Sequence, residues 1–320
     1  MVFDVQQPSA PSPCYVILQD QLKSIPDILD PSSGCWAVHT VRDDSVNWAT
    51  PSRRLVTLTW RPCDYTGEGF RAELAQPWSV PKIADVKRNP WGIGDDRTFS
   101  SVNYHWSFSL SDEGGLLGDD VSGIFVAQWH SERPAPSDGS PVIGLLYEKG
   151  TGLKPGQAFL TLTMKVLGRT GQCLSTDEAV SNQHGNEIIC FKRLARIAVE
   201  QGVFHKVDVG IEWDLPGKMG GASVRVDGAP MQGIAPYNPD ADGRYLVPNK
   251  QAESPNYFNF GMYVQSRLKR PYQQFRAEHP DTVEAVPSFC RSDKSLLLKL
   301  KDFSFDAPVG MKQDAGVPRG

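Results

Sequence analysis

The chain has 320 residues, 40% of them hydrophobic and 22% charged, with a formal net charge of −4. That length allows one large domain or two ordinary ones, and the hydrophobic share fits a globular rather than a disordered chain. The weak negative charge excludes the basic footprint that would make nucleic acid the main partner, and no apolar run approaches the ~18 residues of a membrane span. Residues 1–21 lack the basic segment and apolar core of a secretory signal. The six cysteines, Cys14, Cys35, Cys63, Cys173, Cys190 and Cys290, match no zinc-binding spacing. They are expected to be free buried thiols. Cys173 and Cys190 flank a polar loop and are the pair that would bond in an oxidising compartment.

Residues 1–50 read as an N-terminal arm flanking the domain, Pro- and Ser-rich at first, with one short strand at 14–18. Residues 55–60 form the first clear strand, stopped by Pro62. In 70–74, Phe70, Ala72 and Leu74 share one face, and Arg71 and Glu73 the other. Residues 76–100, rich in Pro, Trp and charge, read as a long loop of the binding type. In 102–110, Tyr104, Trp106, Phe108 and Leu110 form the apolar face. His105 stands on the opposite face and is taken as a candidate to line a groove.

The next strand organises the rest. Ile124, Phe125, Val126 and Ala127 run into Gln128, Trp129 and His130. Alternation puts Phe125, Ala127 and Trp129 on one face, with Gln128 and His130 together on the other. Residues 142–148 and 158–167 read as a hairpin around Lys149 and Gly150. Thr161, Thr163 and Lys165 are opposite the apolar Leu160, Leu162, Met164 and Val166. Residues 168–187 read as loop, and 187–196 as a strand or the start of a short helix. Residues 204–214 and 220–227 read as paired strands, and 229–255 as loop. In 257–265 the apolar face is Phe258, Phe260, Met262 and Val264. The polar face is Tyr257, Asn259, Tyr263 and Gln265, with Gly261 leaving a gap of the kind that marks close approach of a ligand. Residues 267–293 read as a basic insertion, 296–305 as the closing strand, and 307–320 as a flexible tail.

About a dozen strands separated by Gly and Pro turns, without a long amphipathic helix or an internal repeat, predict an all-β fold. The expected architecture is an antiparallel two-sheet β-jelly-roll sandwich, concanavalin-like, spanning 51–306. Its polar strand faces would line a concave groove. Arg71, Gln128, His130 and Tyr263 would supply a cation, an amide donor, an imidazole and a phenol. These are the parts needed for β-elimination on a 4-linked uronic acid. Cation and amide neutralise the carboxylate as enolate-like charge builds up. A base removes the C5 proton and an acid protonates the leaving oxygen. The chemistry requires no cofactor and no metal.

The chain resembles the β-jelly-roll polysaccharide lyases, the group of alginate lyases, heparin-lyase-like enzymes and glucuronan lyases. Phe70-Arg71-Ala72-Glu73-Leu74 is similar to their Arg-(Ser/Thr)-Glu-Leu motif, Gln128-Trp129-His130 to Gln-(Ile/Val)-His or Gln-Trp-His, and residues 257–265 to Tyr-Phe-Lys-Ala-Gly-Val-Tyr-Asn-Gln, in the same order along the chain. The resemblance covers roughly residues 55–305. It implies that Arg71 and Gln128 bind the uronate carboxylate, that His130 is the base or its partner, and that Tyr263 is the acid, or both acid and base. Glu73, His105, Tyr257, Asn259 and Gln265 are expected to contact substrate. Asn259 stands where the family usually has Lys.

The expected partner is therefore an acidic polysaccharide, handled by a monomer with no nucleic acid or membrane partner. Such polymers lie outside cells, which places the protein in an extracellular or virion-associated setting. Two alternatives compete. A non-catalytic carbohydrate-binding module would need only the concave face and its aromatics. A glycoside hydrolase needs two carboxylates flanking the scissile bond, for which Glu212 and Asp214 are the suggestive pair.

Overall fold

A computed structural model describes residues 37–39, 46–48, 55–65, 70–75, 101–131, 141–169, 178–181, 187–212, 220–246, 256–280, 287–291 and 293–306. The strands in chain order are β1 (Ala37–His39), β2 (Val46–Trp48), β3 (Leu55–Trp60), β4 (Arg71–Ala75), β5 (Ser101–Glu113), β6 (Val121–Ser131), β7 (Pro141–Glu148), β8 (Gln157–Arg169) and β9 (Glu178–Ser181). They continue as β10 (Glu187–Glu200), β11 (His205–Glu212), β12 (Gly221–Val226), β13 (Ala229–Pro230), β14 (Gln232–Gly233), β15 (Tyr245–Leu246), β16 (Asn256–Ser266) and β17 (Ser295–Asp306). One α-helix among the described residues, α1 (Lys269–Glu278), joins β16 to the last strand.

The fold is an antiparallel two-sheet β-jelly-roll sandwich. One sheet runs β1-β4-β16-β6-β7-β8-β10-β14, with β9 also paired to β10; the other runs β13-β12-β11-β5-β17-β3-β2, with β15 on β12. Period-two patterning produces this arrangement, because each strand can bury only one face. In β3, Val56, Leu58 and Trp60 are fully buried while the residues between them are half-buried. The two sheets meet through their aromatics. Trp106 of β5 packs edge-on against Phe260 of β16 at 5.4 Å, Tyr104 of β5 against Trp129 of β6 at 5.4 Å, and Phe303 of β17 against Phe260 at 5.2 Å. Such pairs add specific geometry to the large area that each ring buries.

Several expectations change. Residues 187–200 form a strand and not a helix start, because β10 pairs with β8 over almost its whole length. Within the segment expected to be loop at 168–187, the described residues include β9, which adds to the other edge of β10. The basic insertion after β16 carries α1. This helix has no capping side chain and no acidic residue in its first turn, so it depends on tertiary contacts. Tyr272 supplies them, packing on Tyr65 at 5.6 Å and on Phe70 at 5.9 Å. The strand expected at 14–18 and the tail at 307–320 lie outside the described residues.

The free-thiol expectation is also corrected, since Cys63 is bonded to Cys290 across a separation of 227 residues. The topology explains a pairing that spacing cannot suggest. Antiparallel β3 and β17 are neighbours, with Trp60 opposite Leu296. The chain leaving β3 and the chain entering β17 therefore meet at one end of the sheet. Closing so long a loop restricts the unfolded chain, and loss of such a bond typically costs about 2–4 kcal/mol. Cys63→Ser is expected to lower the free energy of unfolding in urea by that amount and the midpoint with it, and reductant to do the same to the wild type but not to the variant. Equal midpoints with and without reductant in the wild type would mean that the bond is not formed in the folded protein.

Candidate functional site

Site residues gather on the outer face of the β16-containing sheet. Two rows of residues cross the strands there in register. One is Asn259, Gln128, Gly144, Thr163 and Arg193; the other is Arg71, Tyr263, Phe125, Leu146, Thr161 and Arg196. Cross-strand neighbours in such rows stand ~5 Å apart at Cβ, so the topology brings β4, β6 and β16 side chains together from positions far apart in the chain.

Two irregularities set which residues reach this face. Between Phe260 and Tyr263, Gly261 and Met262 of β16 oppose the single Val126 of β6, and Val126 is likewise the extra residue against β7. A bulge breaks the two-residue period. Val126 and Ala127 both face the core, and Phe125 is turned outward, in register with Tyr263. A Cβ on Gly144 would lie 2.8 Å from the Phe125 ring, which therefore covers that glycine. The expectation that Phe125 shares the Trp129 face is corrected accordingly. Strict alternation cannot register a bulge inside an all-apolar run. Gly261 is corrected too. Its φ of +145° and a Cβ position 2.6 Å from the Ala72 carbonyl oxygen show that the bulge and the close approach of β4 require glycine there, rather than a gap left for a ligand.

The centre of the face is an Arg–Glu–Gln cluster. Gln128 Nε2 donates to Glu73 Oε1 at 2.6 Å, and Arg71 Nη1 lies 3.8 Å from Glu73 Oε2. The Arg71 guanidinium sits 5.5 Å from the centroid of the Tyr263 ring. Glu73 and Gln128 are 1% and 2% exposed, and Asn259 beside them 6%. A carboxylate only accepts hydrogen bonds, so it fixes the amide nitrogen of Gln128 toward Glu73 and leaves a second N–H for another acceptor. At this depth Glu73 balances the Arg71 charge, without which burial of the cation would be costly. The cluster is thus a preset pair of donors, cation and amide, suited to a carboxylate.

The remaining expected residues separate into three groups. Gln265 lies further along β16, where a Cβ on Gly123 would come 3.4 Å from its Oε1. His130 and Tyr257 are register partners between β6 and β16, with His130 two residues beyond Gln128; their side chains lie outside the described residues. His105 does not join the site. Its strand, β5, belongs to the other sheet, and its Nδ1 pairs with Asp208 Oδ1 of β11 at 2.6 Å. Alternation identifies a polar face but not the sheet to which the strand belongs. Glu212 of the hydrolase reading is also in that second sheet, in an ion pair with Arg244 at 2.7 Å; Asp214 lies outside the described residues.

Sequence reasoning missed a second cluster on the site face. Arg193 of β10 holds Glu148 of β7 through Nε and Nη2 at 3.1–3.3 Å, and Thr161 Oγ1 donates to the same carboxylate at 2.9 Å. Arg196 covers the Phe159 ring at 4.2 Å. The alternation of Thr161, Thr163 and Lys165 was the available signal. Among the described residues, no group of three or more His, Cys, Asp and Glu side chains is placed to hold a metal ion.

No family model matches the sequence, and a comparison with curated proteins returns no match. Among solved structures, the chain is similar to the endo-β-1,4-glucuronan lyase of the fungus Trichoderma reesei, with 16% identity over 85% of this chain and 87% of that one and a TM-score of 0.44. It is similar to an alginate lyase from Pseudomonas aeruginosa, with 12% identity over 86% and 98% of the two chains and a TM-score of 0.47. It is also similar to the Emp47p carbohydrate recognition domain, with 12% identity over 90% and 96% and a TM-score of 0.43. At these values the functional reading rests on the residues of the site.

Proposed function

We propose that the protein is a polysaccharide lyase that cleaves a uronic-acid-containing polymer by β-elimination, leaving an unsaturated uronate end. The observation that carries the reading is the cluster of Arg71, Glu73 and Gln128 beside Tyr263 on one sheet face. Arg71 and the second N–H of Gln128 take the substrate carboxylate and stabilise the charge that develops when the C5 proton leaves. Tyr263, against the Arg71 guanidinium, donates to the leaving oxygen. His130, on the same strand as Gln128, takes the C5 proton or assists Tyr263 in doing so. The Cys63–Cys290 bond suits an oxidising setting, as a substrate outside cells would require.

The deciding experiment is a panel of polyuronates, including glucuronan and alginate, read by the ultraviolet absorbance of an unsaturated uronate. A lyase generates that band; a hydrolase yields reducing ends without it, and a binding module yields neither. Absence of the band on every polymer, with binding intact, would replace this reading with the binding module. Binding is expected to weaken as salt rises, because the exposed Arg196, in the same cross-strand row as Arg71 and Tyr263, attracts the polymer through charge, and exposed charges are screened over ~8 Å at physiological ionic strength. Titration calorimetry at low and high salt checks this. Salt-independent binding would point to a neutral-sugar site.

A further inference from the structure

We infer that Arg196, held on the Phe159 ring, forms a second anion-binding position, which takes a carboxylate of the same polymer chain about four sugar units from the reacting one. The inference rests on the acidic-sugar reading above and adds to it a chain length below which this contact is lost.

A bulge in β10 puts Arg196 on the site face. Residues three apart on a regular strand point to opposite sides. Arg193 pairs with Thr163 and Arg196 with Thr161, and the register shifts between Arg193 and Ala195. Leu194 and Ala195 are both fully buried. They turn inward in succession, so both arginines turn outward. Bulges re-aim side chains in this way beside active sites.

The two arginines meet different partners. Arg193 is held by the Glu148 carboxylate, to which Thr161 also donates. That carboxylate balances one cation and leaves Arg196 over. Among the described residues Arg196 has no hydrogen-bond or ion-pair partner. Its guanidinium rests 4.2 Å from the centroid of the Phe159 ring. Gly150 backs that ring, since a Cβ there would come 2.8 Å from it. A guanidinium placed on an aromatic ring keeps its N–H groups for a planar anion and is already ordered to meet one. Arg196 is exposed, so a polymer chain in solvent can reach it.

Its place in the sheet sets the spacing. Arg196 and Tyr263 belong to one cross-strand row, with Thr161, Leu146 and Phe125 on the strands between them. Four strand spacings of ~4.8 Å separate the two, roughly 19 Å. One unit of an extended 1,4-linked pyranose chain advances by about one strand spacing. A chain laid across the strands with its reacting unit at Tyr263 therefore brings another carboxylate over Arg196.

The test uses the full chain with trisaccharides and heptasaccharides of glucuronan and of alginate. A trisaccharide reacting at Tyr263 is too short to reach Arg196; a heptasaccharide spans the distance. Turnover is read as unsaturated product and binding by calorimetry. Wild type is expected to favour the heptasaccharide by about tenfold or more in kcat/KM, the scale of one hydrogen-bonded ion pair. Arg196→Gln is expected to lose most of that advantage, chiefly through KM, as fits binding away from the reacting bond. On the trisaccharide it should match wild type. Arg225→Gln, which removes an exposed cation from the other sheet, should leave both lengths unchanged. No loss on the heptasaccharide in Arg196→Gln, or an equal loss on both lengths, overturns the inference and leaves the lyase reading standing. An equal loss in Arg225→Gln also overturns it, because the effect would then come from overall charge. Heptasaccharide binding that depends on Arg196, with no unsaturated product from either length, would keep the second position and replace the lyase reading with the binding module. If wild type neither binds nor turns over any of the four probes, the acidic-sugar reading fails and the inference fails with it.

Discussion

Tyr263→Phe is expected to lose about 10²–10⁴-fold in turnover, the usual cost of removing a general acid or base, with the fold unchanged. The substitution keeps the ring on which the Arg71 guanidinium rests and removes only the hydroxyl. Tyr263 is half-buried on the outer face of β16, so no core cavity opens. His130→Ala is expected to fall by a similar factor, because the base and the acid serve one elimination. Both variants are read as unsaturated product formed at matched folded concentration, with folding checked by circular dichroism. Near wild-type rates in both would remove the assigned mechanism and leave a carbohydrate-binding module as the better account.

Gly261→Ala is expected to destabilise the protein by about 3 kcal/mol or more. A residue with a side chain held in a sparsely populated backbone region costs about 1–3 kcal/mol, and a collision is added here. The new Cβ would stand 2.6 Å from the Ala72 carbonyl oxygen and 2.7 Å from Glu73 Cα, at a φ of +145°. These are backbone atoms of β4, which cannot rotate aside, so strand and bulge must move apart. Glu73 holds Gln128, and the movement should disturb the donor pair. The variant is expected to lose activity even in its folded fraction. Urea unfolding monitored by tryptophan fluorescence gives the first effect, and kcat per folded molecule the second. An unchanged midpoint would show that β16 and β4 do not approach in this way.

Much of the fold was legible because strand faces alternate with the apolar pattern. Val56, Leu58 and Trp60, or Phe260 and Met262, declare their inward side without further help. Arg71, Gln128 and Tyr263 were legible as one surface for the same reason. Three features were not. The bulge at Val126 leaves no trace in a run where every residue is apolar, so the outward turn of Phe125 was hidden. The sheet to which β5 belongs depends on pairing between distant strands, so His105 was assigned to the wrong side of the molecule. The Glu148–Arg193 pair joins strands 45 residues apart, and neither residue belongs to a motif.

The Cys63–Cys290 bond makes most of the chain a covalent ring, since 227 residues separate its ends. A protease that severs the backbone once inside that ring releases no fragment. The two pieces remain tethered beside β3 and β17, held by the pairing of those strands as well as by the sulfurs. Dispersal then requires a second cut or a reductant, so the same nick has different consequences in oxidising and reducing surroundings.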